Sequence, residues 1–377
     1  MTQATATRPT SLKATDITIE VVYRGIFQKT LAQRITRGVV LAARQRGLPG
    51  TAFSRYGDSP ERNGVPAKQF AVVAVNDIEL EASMARYEPA IVDVTVAVDD
   101  TLVKGVESWA WYGRQPIWKP VRANGVVLVT SDKSPDEILA QTDKTDRPYT
   151  LGVIPGEASF AGLWVYKDDH TDWRVLGALS KVLPDWLPLD EVKAQVRTQT
   201  KDENAVASVQ YGHDATTFRP VKAGEGTDAH EKLAFTKPGW TTMRTGVIVD
   251  ARKPGERNPQ FKRYATRTQR PVVNFDTCIK CTMCWLDCPD ECFEVTGSGH
   301  FEVVYEACVG CGICAQVCPV KDCIVMVDEL KFDSNKTVFP EWEKDRNTYN
   351  AWFEKTSGRS AAPPKGEKAA VAVGGDE

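Results

Sequence analysis

Two stretches of the sequence decide the fold of its carboxy-terminal part: Cys278-Ile-Lys-Cys281-Thr-Met-Cys284-Trp-Leu-Asp-Cys288-Pro289 and Cys308-Val-Gly-Cys311-Gly-Ile-Cys314-Ala-Gln-Val-Cys318-Pro319. Both have the pattern C-x2-C-x2-C-x3-C-P, and the second begins 30 residues after the first. The chain has ten cysteines, all of them between Cys278 and Cys323. So dense a repeat of thiols favours metal ligation, because disulfides that staple a secreted fold are spread over the elements they connect.

The rest of the composition is that of an ordinary globular protein. The 377 residues suffice for two or three domains, with 42% hydrophobic and 26% charged residues and a net charge of −3. That charge excludes a generally basic nucleic-acid binder. No apolar run approaches the ~20 residues that span a bilayer, and the polar amino terminus has no apolar signal core. We therefore expect a cytoplasmic protein with no nucleic-acid or membrane partner.

The cysteine spacing has a chemical explanation. Three thiolates two residues apart hold three irons of one cubane, whereas the fourth lies where the chain leads away, and in two-cluster ferredoxins it ligates the other cluster. Zinc does not explain the third cysteine and the Cys-Pro of each half. A pair of clusters with a purely structural role stays open. The sequence predicts two [4Fe–4S] clusters with crossed ligands: Cys278, Cys281, Cys284 and Cys318 for the first, and Cys308, Cys311, Cys314 and Cys288 for the second.

Two cysteines, Cys292 and Cys323, exceed the eight predicted ligands. Each follows a Cys-Pro by a few residues, where a small apolar side chain would pack against a cluster, so we expect buried packing residues. Between the two halves, residues 294–305 alternate about a Gly-Ser-Gly centre and predict a hairpin. At its tip, His300 is expected to face solvent as a turn residue rather than to bind a metal.

Hydrophobic patterning divides the chain into domains. The alternation of residues 17–21 predicts a first strand, and the spacing of Leu31, Ile35 and Val39 predicts a helix after it. The predicted organisation is a disordered amino terminus (residues 1–15), an α/β domain (16–200), a linker or extended arm (201–270), a small α+β two-cluster ferredoxin-like domain (271–335), and a carboxy-terminal extension with a disordered tail (336–377).

Charge changes sign along the carboxy-terminal half. Residues 241–270 contain eight Lys and Arg against two acids, whereas residues 276–333 contain eleven acids against three lysines. We expect the basic arm to pack across the surface of its own chain or of a partner, because no aromatic interleaving or nucleic-acid motif accompanies it.

Residues 267–331 resemble the delta, ferredoxin-like subunit of the 2-oxoacid:ferredoxin oxidoreductases. That subunit carries an R-P-V-x-D lead-in, then C-I-x-C-x-x-C-W-x-x-C-P-D and C-K-G-C-G-I-C-A-x-x-C-P, and this sequence matches at Trp285, Asp290, Gly312 and Ile313. The amino-terminal domain resembles the gamma subunit of the same enzymes. The matching segments are DITIEVVYRG (residues 16–25), Tyr56-Gly57, Glu61-Arg62-Asn63-Gly64, the strand around Asp93 and ANGVVLVTSD (residues 123–132).

This resemblance implies fused gamma and delta subunits, with an α/β gamma-type domain followed by the ferredoxin-like domain. It implies oxidative decarboxylation of a 2-oxoacid on thiamine diphosphate, with the thiamine, Mg²⁺ and a further [4Fe–4S] cluster on alpha- and beta-type partner subunits. Electrons would leave through the clusters of this chain to ferredoxin or a similar acceptor. No catalytic residue is expected on this chain.

The loop after the first strand departs from the family pattern. The gamma subunit has a glycine-rich G-R-G-G-Q-G loop, in which backbone N–H groups approach a phosphate-bearing ligand. Here Arg24, Gly25 and Gln28 are retained as candidate residues for coenzyme A or for a subunit interface, while Ile26 replaces a glycine. Either this turn is not critical, or acyl transfer to coenzyme A is altered or absent, as in relatives that cleave oxalate to carbon dioxide.

Two other functions stay open at this point. The same cysteine repeat suits an electron-transfer subunit of a hydrogenase or molybdenum enzyme, and the basic arm and tail suit a non-enzymatic iron–sulfur scaffold or sensor. The sequence contains no G-x-G-x-x-G loop after a strand, no Walker loop and no metal-spaced histidine pair. It does not distinguish pyruvate, 2-oxoglutarate, phenylglyoxylate and oxalate as substrates.

Overall fold

The structure is a computed structural model of the chain. It describes residues 14–55, 66–83, 88–107, 114–156, 170–228, 267–332 and 338–361, which form two compact units, Met1–Met243 and Arg244–Glu377. The predicted disordered amino terminus up to residue 13, the gamma-like segments at residues 56–57 and 61–64, the basic arm up to residue 266 and the tail beyond residue 361 lie outside the described residues.

The amino-terminal unit is built on a seven-stranded sheet of order β2-β3-β1-β4-β7-β8-β9. Strands β1, β4, β7 and β8 are parallel, while β2, β3 and β9 complete the sheet as antiparallel neighbours. This arrangement confirms the predicted α/β class. The seven strands are β1 (Asp16–Arg24), β2 (Gly50–Arg55), β3 (Pro66–Ala74), β4 (Val92–Ala97), β7 (Val121–Ser131), β8 (Tyr149–Pro155) and β9 (Thr217–Val221); a separate ribbon pairs β5 (Val106–Glu107) with β6 (Arg114–Gln115).

Strand β1 lies at the centre of the sheet and is buried on both faces. Ile19 and Val21 belong to one apolar core and Val22 to the core on the opposite face. Its polar residues are also buried: the Glu20 carboxylate pairs with Lys68 Nζ at 2.5 Å and accepts a hydrogen bond from Thr95 Oγ1 at 2.8 Å. The polar residues that alternate with apolar ones in β1 therefore do not form a solvent-exposed face. Helices and loops cover both sides of the sheet, so Glu20 is paired inside the protein.

Six helices accompany this sheet in the described residues. The first follows β1 directly, as predicted, and Gly47, with φ of +73°, forms the turn after it. Leu31, Ile35 and Val39 of this helix pack into the larger core. The helices are α1 (Gly25–Gln45), α2 (Asp77–Ser83), α3 (Pro135–Ala140), α4 (Thr171–Val182), α5 (Leu189–Gln199) and α6 (Glu203–Ala215).

The amino-terminal domain extends beyond residue 200, where the sequence predicted a linker. Helix α6 packs on α4, with Val206 and Val209 in the core, and β9 then pairs with β8 and forms the edge of the sheet. The linker prediction failed here because α6 has a short, alanine- and glycine-rich apolar stripe. Its close fit to α4 depends on small residues, which weaken a hydrophobic pattern.

The carboxy-terminal unit contains two short antiparallel ribbons and four helices in its described residues. One ribbon joins the strands that flank the cysteine repeat, β10 with β13, and the hairpin β11–β12 lies between the halves, as predicted. The elements are β10 (Gln269–Val273), α7 (Met283–Leu286), β11 (Phe293–Val295), β12 (Phe301–Val303), α8 (Ile313–Val317), β13 (Ile324–Asp328), α9 (Phe339–Lys344) and α10 (Arg346–Ser357).

Helices α9 and α10 correct the prediction for the carboxy-terminal extension, whose residues 338–361 fold onto the ferredoxin-like domain. Phe339, Trp342, Tyr349 and Phe353 enter its core. The same aromatic side chains correct the prediction for His300, which is 7% exposed and lies 5.0 Å, ring to ring, from Trp342. Burial lowers the pKa of this histidine, so the neutral ring is favoured.

No helix among the described residues combines the length and the apolar character that a membrane span requires.

The tight crossing of α4 and α6 gives a testable prediction. A Cβ atom on Gly177 would lie 1.9 Å from the backbone carbonyl oxygen of Val209, which cannot move without displacing α6. We expect Gly177→Ala to lower the free energy of unfolding by about 3 kcal/mol, measured by urea unfolding of the full chain. Gly38→Ala is the control, because a Cβ there meets only the Leu176 side chain. Equal losses in the two variants would contradict the close helix contact.

Candidate metal centre

The eight predicted ligands line two cavities in the carboxy-terminal unit. Each cavity receives three cysteines from one half of the repeat and the fourth cysteine of the other half. The empty volumes of the first and second cavity, including the adjoining space open to solvent, are about 370 Å³ and 320 Å³. The thiols of the first cavity are Cys278, Cys281, Cys284, Cys318 and Cys323, and those of the second are Cys288, Cys292, Cys308, Cys311 and Cys314.

Backbone conformation brings the first three thiols of each half to one side of a tight loop. In the second half, Gly310 and Gly312 adopt positive φ of +71° and +82°, and in the first half Lys280 and Thr282 adopt the same conformation. Gly310 has no room for a side chain, since a Cβ there would lie 2.2 Å from the Gln269 carbonyl oxygen. The two loops therefore share a path although only one is rich in glycine.

Three predicted ligands, the first cysteine of one half and the fourth cysteine of each half, are poised to be thiolates. A hydrogen bond from Cys323 lowers the pKa of Cys278 to about 6 and that of Cys318 to about 7. In the second cavity a hydrogen bond from Cys292 lowers the pKa of Cys288 to about 6. Because iron–sulfur clusters are held by thiolates, these shifts suit the ligand role.

Other cysteines of the cavities have raised pKa values, chiefly because they are buried. Burial raises the pKa of Cys284 to about 12, with repulsion from Cys278 and Cys281 adding to the effect. Burial also raises the pKa of Cys314, and its neighbouring thiols include Cys284 of the first cavity. The two cavities are adjacent, because helices α7 and α8, which carry Cys284 and Cys314, are in contact.

The thiol sets fit the cofactor that the spacing predicts. A [4Fe–4S] cluster takes four cysteine thiolates, and each cavity offers the predicted four together with apolar walls. Val273, Phe301 and Ile324 line the first, and Pro271 and Phe293 line the second. Among the described residues, no group of three or more His, Cys, Asp or Glu side chains has the geometry to hold a single metal ion.

A buried ion cluster supports the loop of the second cavity. Glu329 accepts hydrogen bonds from Arg267 Nε at 2.9 Å and from Arg270 Nε at 2.5 Å, and all three side chains are at most 1% exposed. Arg267 also donates to the carbonyl oxygens of Tyr305 and Cys308, the latter at 3.2 Å. These arginines were expected in the extended arm. In the structure they lie inside the ferredoxin-like domain. Burial is tolerated there because Glu329 neutralises their charges and backbone carbonyl oxygens accept from the remaining donors of Arg267.

The candidate coenzyme A residues Arg24 and Gln28 are hydrogen-bonded inside the amino-terminal domain. Gln28 Oε1 accepts from the Arg24 backbone N–H at 2.7 Å, and Gln28 Nε2 donates to Asp99 at 3.3 Å. Arg24 Nη2 donates to Thr101 Oγ1 at 2.7 Å. Helix α1 starts at Gly25, so strand and helix join without an intervening loop. Arg24 and Gln28 come together, buried, at the carboxyl ends of β1 and β4.

Three residues contribute to the two cavities in ways that the sequence did not predict: Cys292, Cys323 and Asn274. Cys292 and Cys323 are buried as expected, but each also contacts ligand-type sulfurs in its cavity. Asn274 caps the turn before Cys278, with its side chain accepting from the backbone N–H groups of Asp276 and Thr277. The signal for Asn274 was present, since asparagine favours such turns.

The restricted space at Gly310 gives a second prediction. We expect Gly310→Ala to distort the loop that carries Cys308 and Cys311, since the added Cβ would overlap the Gln269 carbonyl. Iron per chain should fall by about half, from about eight to about four atoms, because one of two [4Fe–4S] sites is disrupted. Lys280→Gly, at the corresponding position of the first loop, should retain all of its iron. Iron analysis showing full content in Gly310→Ala would contradict the proposed constraint.

Comparison with known proteins places this domain in a family. Residues 271–326 match the 4Fe-4S dicluster domain. The pyruvate synthase subunit PorD of Thermotoga maritima is 38% identical over 97 residues, which are 26% of this chain and 94% of that protein. PorD of Methanocaldococcus jannaschii is 38% identical over 65 residues, covering 17% of this chain and 74% of that protein. The delta subunit of the NADH-dependent phenylglyoxylate dehydrogenase of Aromatoleum evansii is 49% identical over 53 residues, covering 14% of this chain and 56% of its own.

Two solved structures show weaker similarity. Subunit PORC of the pyruvate oxidoreductase from Thermotoga maritima aligns with a TM-score of 0.39 and 16% identity, over 54% of this chain and 99% of its own. The gamma subunit of a keto/oxoacid ferredoxin oxidoreductase from Geobacter sulfurreducens aligns with a TM-score of 0.35 and 15% identity, over 53% of this chain and 96% of its own. Scores this low do not assign a fold, so the relationship stands on the cysteine-rich domain. On the identity to PorD across nearly its full length, the chain belongs to the 2-oxoacid:ferredoxin oxidoreductase family, with its carboxy-terminal domain in the position of the ferredoxin-like delta subunit.

Proposed function

We propose that this chain is the gamma–delta subunit of a thiamine diphosphate-dependent 2-oxoacid oxidoreductase and that it carries electrons from partner subunits to an external acceptor such as ferredoxin. The observation that carries this proposal is the pair of adjacent cavities, each lined by four thiols of the spacing that two-cluster ferredoxins use. An electron-transfer role also agrees with the 4Fe-4S dicluster match and with relatives that are subunits of oxidoreductases.

We assign the ligands by cavity. The first [4Fe–4S] cluster would be held by Cys278, Cys281, Cys284 and Cys318, and the second by Cys288, Cys308, Cys311 and Cys314. When bound, each cluster supplies reversible uptake of a single electron. The protein's own part is to present the thiolates and to limit access of water. The carboxy-terminal helices contribute, because their aromatic side chains join the same core as the cysteines.

The crossed arrangement supports transfer between the two sites. Cys288 and Cys318 each follow a short helix of one half and line the cavity of the other half. The halves therefore cannot separate without removing a ligand from each site. Cys284 and Cys314 lie on α7 and α8, which pack against each other. Neighbouring sites on one rigid scaffold suit the stepwise passage of electrons toward an acceptor.

The gamma-type assignment of the amino-terminal domain rests on sequence segments whose places in the fold are known. DITIEVVYRG forms the central strand β1 and the start of α1, and ANGVVLVTSD lies largely in β7. Asp93 of β4 accepts a hydrogen bond from the Thr18 backbone N–H of β1 at 2.8 Å. We propose that this domain docks alpha- and beta-type subunits, which would hold thiamine diphosphate, Mg²⁺ and a further [4Fe–4S] cluster.

We further propose that turnover does not require coenzyme A. Arg24 and Gln28, the retained residues of the family's phosphate-approaching loop, are turned inward and engaged with Asp99 and Thr101. Side chains used in this way are not offered to a ligand. A reaction that produces carbon dioxide alone, such as oxalate cleavage, has no acyl group to transfer and fits this closed site.

The crossed ligation predicts which variants share a phenotype. We expect Cys318→Ser to lose the same cluster as Cys281→Ser, and Cys288→Ser to lose the same cluster as Cys311→Ser. The reason is that the fourth cysteine of each half lines the cavity of the other half. Each variant should retain about half of the iron. Low-temperature EPR of the dithionite-reduced protein, recorded for all four, would show two matching pairs of spectra. Pairing of Cys318→Ser with Cys311→Ser would show that each half binds its own cluster.

The assembled complex tests the function itself. This chain, tagged and purified from its native host, should bring with it partner chains that contain thiamine diphosphate. Oxidation of pyruvate, 2-oxoglutarate, phenylglyoxylate and oxalate should be assayed with and without coenzyme A. We expect one of these substrates to be oxidised at a rate that coenzyme A changes less than about twofold. A required co-substrate would change the rate far more, since a single good binding interaction is already worth about tenfold.

The opposite results are equally specific. Strict dependence on coenzyme A would overturn the interpretation of the Arg24 site while leaving the family function intact. Partner chains that contain nickel or molybdenum and no thiamine would instead indicate an electron-transfer subunit of a hydrogenase or a molybdenum enzyme.

A further inference from the structure

Cys292 and Cys323 are the two cysteines that the proposed ligand sets leave over. Both are 2% exposed, and each lies in one of the two cavities, Cys292 in the second and Cys323 in the first. Each cavity already offers four other thiols, which is the number that a [4Fe–4S] cluster takes. These two side chains therefore stand beside the proposed sites as additional thiols.

Their contacts repeat between the halves. Cys292 shares its cavity with Cys288 and Cys308 and contacts their sulfurs, and Cys323 shares its cavity with Cys318 and Cys278 and contacts theirs. In both cavities the contacted pair is thus the fourth cysteine of one half and the first cysteine of the other. The same arrangement arises although Cys292 follows its Cys-Pro cysteine by four residues and Cys323 by five. Simple packing does not require the extra thiol to reach the same two positions twice.

We propose that Cys292 and Cys323 set the potentials of the clusters: each donates its one S–H hydrogen to a ligand sulfur of its own cluster and so raises that cluster's reduction potential. This inference rests on the ligand assignment of the proposed function. It replaces the expectation that the two residues only fill space.

The direction of the effect follows from charge. Reduction adds negative charge to the cluster and its sulfurs, and a hydrogen bond to a charged acceptor is stronger than one to a neutral acceptor. A donor at the ligand sulfur therefore stabilises the reduced state more than the oxidised state, which raises the potential. The other acceptors near the two thiols are the neutral carbonyl oxygens of Asp290 and Asn274, each at 3.6 Å. The anionic ligand sulfurs compete well with these weaker partners.

Burial makes the thiols effective donors. At 2% exposure there is little access for water to the thiols and to the sulfurs they contact. Backbone donors also reach the sulfurs, with Cys292 N–H at 3.2 Å from Cys288 Sγ and Gly310 N–H at 3.3 Å from Cys308 Sγ. Those amides remain when a side chain is replaced, so a substitution at Cys292 or Cys323 removes one donor from an otherwise unchanged shell.

Matched substitutions separate a donor from a space-filling side chain. Alanine and serine differ little in size, but only serine has a hydrogen to donate. We would compare Cys323→Ala with Cys323→Ser, and Cys292→Ala with Cys292→Ser, in the full chain. The midpoint potential of each cluster would be measured by EPR-monitored redox titration, together with iron and acid-labile sulfide content.

We expect all four variants to retain both clusters. Cys323→Ala should shift the midpoint potential of the first cluster, the one lost in Cys281→Ser, to more negative values. Cys292→Ala should shift that of the second cluster, the one lost in Cys311→Ser. The serine variants should lie closer to the wild type than the alanine variants, because the donor is retained. Each substitution should move the neighbouring cluster less than its own.

Three results would overturn the inference. Unchanged potentials in the alanine variants would show that no hydrogen bond of consequence is lost. Equal shifts with alanine and serine would indicate packing alone. Loss of one cluster's iron in both variants of a pair would make that cysteine a ligand. Failure of the proposed function would give a different result: the wild-type chain, reconstituted with iron and sulfide, would show no [4Fe–4S] signals at all.

Discussion

The exchange of a cysteine between the two halves is the constraint on which the carboxy-terminal domain depends. Cys288 and Cys318 each end in the cavity built by the other half, so neither cavity has its four predicted ligands without both halves in place. The surrounding structure maintains this arrangement: β10 pairs with β13 across the ends of the repeat, and α9 and α10 close the core with aromatic side chains. The buried Glu329 between two arginines fixes the strand that leads into the first cysteine loop.

Both domains place charged groups in their interiors, and in both these groups hold backbone segments in register. In the amino-terminal sheet, Glu20 and Lys68 pair between adjacent strands, and Arg24 and Asp99 meet where β1 passes into α1. In the carboxy-terminal domain, Arg267 binds carbonyl oxygens of the second cysteine loop. Breaking such a buried pair by removing one partner is costly, whereas the intact pair adds little net stability. Their contribution is therefore to the choice of one geometry.

The two cysteine loops show how different sequences reach one backbone path. The second loop has glycine at both left-handed positions, and at Gly310 the Gln269 carbonyl leaves no alternative. The first loop has Lys280 and Thr282 at these positions, with the Lys280 ammonium bonded to the Ser298 carbonyl oxygen at 2.6 Å. The extra thiols behave similarly, since Cys292 and Cys323 reach corresponding sulfurs from different spacings. Function thus constrains the position of the sulfur atoms more strongly than it constrains the residues between them.

The sequence by itself determined the cysteine domain and most elements of the α/β domain. The fixed cysteine spacing predicted the cysteine domain, because three of the four ligands of each cluster must lie on one short loop. Hydrophobic periodicity predicted elements of the α/β domain such as β1 and α1. The tertiary structure alone decided the side-chain environments that no local pattern encodes. His300 packs against Phe339 and Trp342, which α9 supplies from about forty residues away. Likewise, α6 joins the first domain through a backbone contact at Gly177, and the thiols of Cys292 and Cys323 meet sulfurs from both halves. Contacts between distant segments depend on how the chain packs, and packing is a property of the whole fold.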